Sequence, residues 1–126
     1  MSIGEALRAY LLSKTEIAGI VGGRIYPVIL PQDVVLPAIS YQLITQPVDL
    51  NVTGEYRRSA YFQIDCWAKN YLDAVSLCDK VESALNGYSG SMGSVNAILA
   101  YISARRDMHD ETVEEYRAAV DTTIWF

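Results

Sequence analysis

The sequence predicts an α+β fold: a mainly antiparallel four-stranded sheet with helices packed on one face, in the order α-(α)-β-β-α-β-β. Three observations carry this. Tyr56–Ala68 alternate throughout, with Tyr56, Ala60, Phe62, Ile64, Cys66 and Ala68 on one side, broken only by Arg58. Arg57, Ser59, Tyr61, Gln63, Asp65 and Trp67 lie on the other side. Period-two alternation of this length is a strand with one face on a core. Next, Ala74, Leu77, Cys78, Val81 and Leu85 recur at helical spacing and form one apolar stripe. Finally, residues 95–105 and 114–126 alternate again and read as a second hairpin. Two hairpins separated by a helix make an α+β layer.

The elements follow in order. Ser2 and Glu5 form a capping box, and Ile3, Ala6, Leu7, Tyr10 and Leu11 continue it as an amphipathic helix. Residues 15–21 read as a short second helix stopped by Gly22-Gly23. Pro27, Pro31 and Pro37 exclude a regular helix or a central strand and leave an extended connection draped over the fold. Ala38–Thr45 alternates, with Ile39, Tyr41 and Leu43 opposed to Ser40 and Gln42. Residues 46–55, with Pro47 and Gly54, read as a polar loop longer than a tight hairpin needs. Asn70 supplies an N-cap oxygen, Asp73 complements the helix dipole, and Gly87 suits a left-handed C′ position. The Gly- and Ser-rich residues 87–94 read as a flexible connector, and 107–112 as the turn of the second hairpin. In the last strand Tyr116, Ala118, Val120, Thr122, Ile124 and Phe126 share one face.

Composition bounds the function. Residues 1–126 suit a single domain that buries about two thirds of its unfolded surface, and with 51% hydrophobic and 20% charged residues general disorder is excluded. The net charge of −5 and a pI near 4.7 argue against phosphate-backbone binding. The basic pairs Arg57–Arg58 and Arg105–Arg106 sit in alternating segments, so each pair points to opposite faces as solvated or ion-paired positions. No apolar run approaches the roughly 20 residues that span a bilayer, and the N-terminal residues do not form a signal peptide, so a cytoplasmic protein is expected. Cys66 and Cys78 fall on core faces and read as buried thiols. Asn51-Val52-Thr53 matches a glycosylation acceptor that has no use without secretion.

Catalytic constellations are scarce, and neither an enzyme, a cofactor nor a metal site is expected. His109 falls in the 107–112 turn; Asp107, His109, Asp110 and Glu111 lack a recognised ligand spacing. Glu111, Glu114 and Glu115 read as a solvated charge run. Gly22-Gly23-Arg24 has neither phosphate-loop nor Rossmann spacing, and no serine sits in a nucleophile elbow. What remains is the second face of the sheet. There Tyr61, Gln63, Asp65 and Trp67 share a surface with Arg117, Ala119, Asp121, Thr123 and Trp125. Tyr61, Trp67, Arg117 and Trp125 are the candidate interface residues, since aromatics and arginine are enriched at contacts. The competing reading is that the 27–37 segment of the same chain covers these rings. Ile124-Trp125-Phe126 is too apolar for a free tail.

Several motifs together resemble the tail-completion proteins of long, non-contractile-tailed bacteriophages and prophages. They are the opening helix, Gly22-Gly23-Arg24-Ile25-Tyr26-Pro27, Leu36-Pro37-Ala38-Ile39-Ser40-Tyr41, and Gln63-Ile64-Asp65-Cys66-Trp67-Ala68 leading into Tyr71, Ala74, Leu77, Val81, Leu85 and Gly87. After Gly87 the likeness is one of strand pattern alone. The resemblance implies a structural virion protein that caps the tail tube and joins it to the head connector. Such proteins are similar to tail terminators, which act as hexameric rings. It therefore implies self-association in a ring, with the tail tube protein and the head connector protein as partners. DNA would pass through without being specifically bound, and no membrane is involved. The implied location is the virion tail, after assembly in the host cytoplasm. Gly22, Gly23, Pro27 and Pro37 match as structural turn residues.

A second class stays open from the residues alone: a ferredoxin-like ligand- or protein-binding regulatory module. Sheet-face aromatics also serve single-stranded nucleic acid by stacking, which the acidic balance disfavours.

Overall fold

A computed structural model describes residues 1–50, 56–110 and 115–126. Its helices are α1 (Ile3–Leu12), α2 (Thr15–Val21) and α3 (Tyr71–Leu85). The strands are β1 (Ile25–Pro27), β2 (Ala38–Thr45), β3 (Val48–Leu50), β4 (Tyr56–Ala68), β5 (Tyr88–Met92), β6 (Val95–Asp110) and β7 (Glu115–Trp125).

Local chemistry sets the helix ends. Ser2 Oγ accepts from the Glu5 amide at 3.1 Å, and Asn70 Oδ1 accepts from the Asp73 amide at 2.9 Å. Gly22 closes α2 in the left-handed region at φ 59°, where a side chain would clash with the following backbone.

The sheet corrects the expected architecture. Among the described residues its strands run β1-β2-β4-β7-β6-β5, with β3 added to the early part of β4. It is mixed: β1 pairs parallel to β2 through Ile25↔Ile39 and Pro27↔Tyr41, while the other ladders are antiparallel. Instead of a mainly antiparallel four-stranded sheet with helices packed on one face, the sheet is mixed, has more strands and curls into a half-barrel. Helix α1 shows the closure. A Cβ built on Gly4 would meet the Tyr41 ring of β2 at 3.6 Å, and one on Gly93, beside β5, would meet Ala9 Cβ at 3.5 Å. Four strand spacings separate β2 from β5, about 19 Å if the sheet were flat. Gly4 and Ala9 stand only about 7.5 Å apart along the helix. Curling brings the two strands to the same helix. Register shifts between Leu43 and Thr45, between Tyr88 and Gly90, and between Ile102 and Ala104 bend the strands locally.

Three segments depart from expectation. Residues 87–94 do not form a connector: Tyr88–Met92 is edge strand β5, paired with β6. Gly and Ser carry low strand propensity, but an open ladder on β6 overrides it. The Tyr88 ring lies 4.3 Å from that of Tyr10, and its hydroxyl donates to the Ser91 carbonyl at 2.6 Å. The 107–112 turn gives way to strand, since β6 continues through Asp110; residues 111–114 lie outside the described ones. The 46–55 loop contains β3, paired with β4 through Val48↔Arg58 and Leu50↔Tyr56; residues 51–55, with the Asn51-Val52-Thr53 motif, also lie outside.

The core lies inside the curl. Ala60, Phe62, Ile64, Cys66 and Ala68 of β4 and Ala118, Val120, Thr122 and Ile124 of β7 are buried. They meet Ala74, Leu77, Cys78, Val81 and Leu85 of α3, as the period-two and helical patterns predict.

Candidate assembly surface

Because β4 and β7 pair without interruption from Ser59↔Trp125 to Ala68↔Tyr116, outward side chains fall into rows continued by β6. In order these rows are Trp67–Arg117–Met108, Asp65–Ala119–Arg106, Gln63–Asp121–Ala104, Tyr61–Thr123–Tyr101 and Ser59–Trp125–Leu99. The convex face thus divides into an aromatic–cation end, a polar middle and an aromatic end.

At the first end the Trp67 indole donates to Ser40 Oγ at 2.9 Å, and the Arg117 guanidinium lies over its ring at 4.9 Å. Both side chains are half-buried. Residues 28–30 form one wall of an open cavity of about 380 Å³ whose other walls include Ser40, Asp65, Trp67 and Arg117. The proline-rich segment therefore flanks Trp67 without sealing it.

The middle is one continuous polar ladder. Asp65 lies 3.6 Å from Arg117 and accepts from Gln63 Nε2 at 3.0 Å. Gln63 Oε1 accepts from Arg106 Nη2 at 2.7 Å, and Arg106 pairs with Asp121 at 2.9 Å. Burial pushes the Asp65 carboxyl above its usual range, outweighing the lowering effect of Gln63, Arg117 and Arg106. At the far end Tyr61 is exposed, Trp125 and Tyr101 are half-buried, and Leu99 is exposed. These residues surround Thr123, whose buried Oγ1 meets no hydrogen-bond partner among the described residues.

Of the predicted interface residues, Trp67 and Arg117 come together and Tyr61 and Trp125 come together, with the polar ladder between the pairs. The sequence places Arg106 opposite Arg105 but not among the interface residues, since the strand is read only to Arg105; in the structure Arg106 ties Gln63 to Asp121. The missed signal was the continued alternation of Arg106 and Met108 against Arg105 and Asp107. Arg105 points the other way, as expected for the pair, and reaches Asp79 at 2.6 Å and Glu82 at 2.8 Å on α3. Burial works against its charge, yet these two carboxylates raise its pKa further.

The turn residues act through Arg24 and Arg8. Arg24 Nε donates to the Pro37 carbonyl at 3.0 Å, and Arg8 donates to the carbonyls of Ile25 and Gly23 at 2.9 and 3.2 Å. Pro27 ends β1, and Val28 follows at φ 68°. His109 is in a strand, not a turn; its ring lies 4.4 Å from that of Tyr116, while Asp107 accepts from the Tyr71 hydroxyl at 2.8 Å. Among the described residues no three His, Cys, Asp or Glu side chains gather as a metal site.

No curated protein matches the chain. Its fold is similar to that of a chain in the virion of a native gene transfer agent (GTA) particle, with a TM-score of 0.75 and 16% identity. The match covers 94% of this chain and 90% of that one. The sequence model described as tail completion protein gp17 matches residues 5–126, a span that runs from within α1 through β7 and includes the convex ladder. The chain therefore belongs to the tail completion protein gp17 family, whose members are structural proteins of the bacteriophage virion.

Proposed function

We propose that this virion tail protein caps the tail tube and joins it to the head connector as a homo-oligomeric ring of the hexameric kind. The observation that carries the reading is the family match over residues 5–126. The convex face supports it. A ladder of ion pairs and hydrogen bonds through Arg117, Asp65, Gln63, Arg106 and Asp121 presents Trp67 at one end and Tyr61 and Trp125 at the other. Exposed and half-buried aromatics at the two ends of a hydrogen-bonded polar strip suit a contact surface, and we assign it to the tail tube or connector protein. A net charge of −5 suits a ring that DNA crosses without adhering, since carboxylates repel phosphates. Assembly takes place in the host cytoplasm, and no chemistry is assigned to the chain.

Electron microscopy of particles lacking the protein tests this. Full heads without joined tails, and tubes of irregular or excessive length, are expected. Joined tails of normal length would overturn it.

A further inference from the structure

We infer that the cavity at the Trp67 end of the convex face receives a basic side chain, arginine or lysine, presented by another virion protein. The inference rests on the docking reading of this face and deepens it by naming the chemistry of the partner. Three observations carry it.

First, the cavity is lined by a buried carboxylate with too few donors. Asp65 is 9% exposed. Among the described residues, the donor it meets at hydrogen-bond distance is Gln63 Nε2, 3.0 and 3.3 Å from its two oxygens. Arg117 stands off at 3.6 Å. A carboxylate has about four acceptor sites, and a buried charge is ordinarily paired and hydrogen-bonded. The raised pKa of Asp65 has the same origin, since burial outweighs what Gln63, Arg117 and Arg106 return. A further cation makes good that deficit.

Second, the charge around the cavity is unequal. Its charged lining residues are Asp65, Glu115 and Arg117, two carboxylates to one guanidinium. That guanidinium is already engaged: it lies over the Trp67 ring at 4.9 Å, and its Nη2 is 2.8 Å from Met108 Sδ. The carboxylates repel an incoming anion and attract an incoming cation.

Third, the walls suit the stem of a long basic side chain. Val28, Ile29 and Leu30 form an apolar wall, with Trp67 among the other lining residues. Lysine and arginine lay their methylenes along apolar surface while the charged head reaches polar groups. Val28 holds its place at φ 68°, which a β-branched residue rarely adopts, with its amide donating to the Tyr41 carbonyl at 2.7 Å. Strain of this kind clusters at ligand clamps. A cavity of about 380 Å³ is of the size that takes one small group, and arginine is enriched among interface anchors.

Titration of the full chain with short peptides, followed by the indole N–H signals of its two tryptophans, tests the inference. Trp67 lines the cavity, and Trp125, at the other end of the face, serves as the internal reference. Acetyl-Gly-Arg-Gly-amide should move the Trp67 signal saturably and leave that of Trp125 in place. The same peptide with citrulline or glutamate for arginine should move neither. Glu115→Gln and Asp65→Asn should each weaken binding about tenfold or more, the worth of one charge-assisted hydrogen bond. An equal response to the citrulline peptide would remove the charge selection. A response to the glutamate peptide would make Arg117 the anchor, and no response to any peptide would leave the cavity without an occupant. Each of these overturns the inference. In particles, Glu115→Arg should abolish joined tails, and suppressors should replace a lysine or arginine of a different virion protein with an acidic residue. Normal tails from Glu115→Arg, or suppressors within this chain, overturn the choice of partner. The peptide titration reads the cavity alone, whereas the tail-joining reading fails only if particles lacking the chain join tails normally.

Discussion

Thr122 and Thr123 are neighbours on β7 and face opposite ways, and their fates differ. Both are fully buried. On the concave face the Thr122 hydroxyl donates to the Tyr101 carbonyl at 2.8 Å, amid Phe62, Ile64, Val120 and Ile124. On the convex face the Thr123 hydroxyl has no partner among the described residues, and the rings around it are partly exposed. One strand pair therefore carries a face that is complete within the chain and a face that is not. Folding information and contact information are interleaved residue by residue, so substitutions can separate them.

The largest effect belongs to the concave side. Leu77 is fully buried at the centre of the α3 stripe, so Leu77→Ala should lower unfolding stability by about 2–5 kcal/mol in urea titrations. A change within error would mean that α3 does not close the core. Replacing Trp67 and Trp125 with serine comes next. The Trp67 contacts to Ser40 and Arg117 represent about 1–2 kcal/mol, so the variant should fold with a reduced melting temperature and fail to dock in particle assembly. Normal infectious yield from the folded variant would break the assignment of the convex face. A chain that cannot fold would instead move these rings into the core.

The threonine pair sharpens the contrast at smaller scale. Thr122→Val leaves the Tyr101 carbonyl short of a donor and should cost about 1 kcal/mol. Thr123→Val removes a buried hydroxyl without a partner and should be neutral or stabilising, by chemical denaturation of both variants. Equal losses would mean that the two faces are not different in kind.

The smallest effect is a pH dependence. Burial raises the Asp65 carboxyl, so the folded chain holds this proton more readily than the unfolded one. The group's contribution to stability is fully present below the unfolded carboxylate pKa and is lost as pH rises through the higher folded value. Asp65→Asn does not titrate, so its stability relative to the parent should increase as pH rises above the ordinary carboxylate range. A flat or opposite trend would show that Arg117 and Arg106, and not burial, dominate at Asp65.

The most legible parts of the fold are those whose pattern needs no distant partner. The alternation of Tyr56–Ala68 and the spacing of Ala74, Leu77, Cys78, Val81 and Leu85 are one-sided patterns, and the structure buries Ala60, Phe62, Ile64, Cys66 and Ala68 together with the helix stripe. Strand β5 is illegible because Tyr88-Ser89-Gly90-Ser91-Met92 has no alternation of its own and becomes a strand only by pairing with β6. The parallel β1 is hidden behind Pro27, and the curl depends on register shifts such as Ile102/Ala104 that no local pattern announces. On the convex face Trp67 and Arg117 were visible as residue types. Their stacking, and the Arg106 link to Gln63 and Asp121, follow only from cross-strand register.

Among the described residues β7 comes after the other strands in sequence yet lies between β4 and β6 within the sheet. On the ribosome this order has a consequence. A nascent chain that has emerged only through residue 110 holds β4 and β6 with their facing edges unpaired and the apolar stripe of α3 covered by β4 without β7. Partners as far apart as Ser59 and Trp125 must then find each other in a late, non-local step. Synthesis and folding are thus uncoupled, and the interval between them leaves sticky strand edges open, the interval in which holding chaperones act.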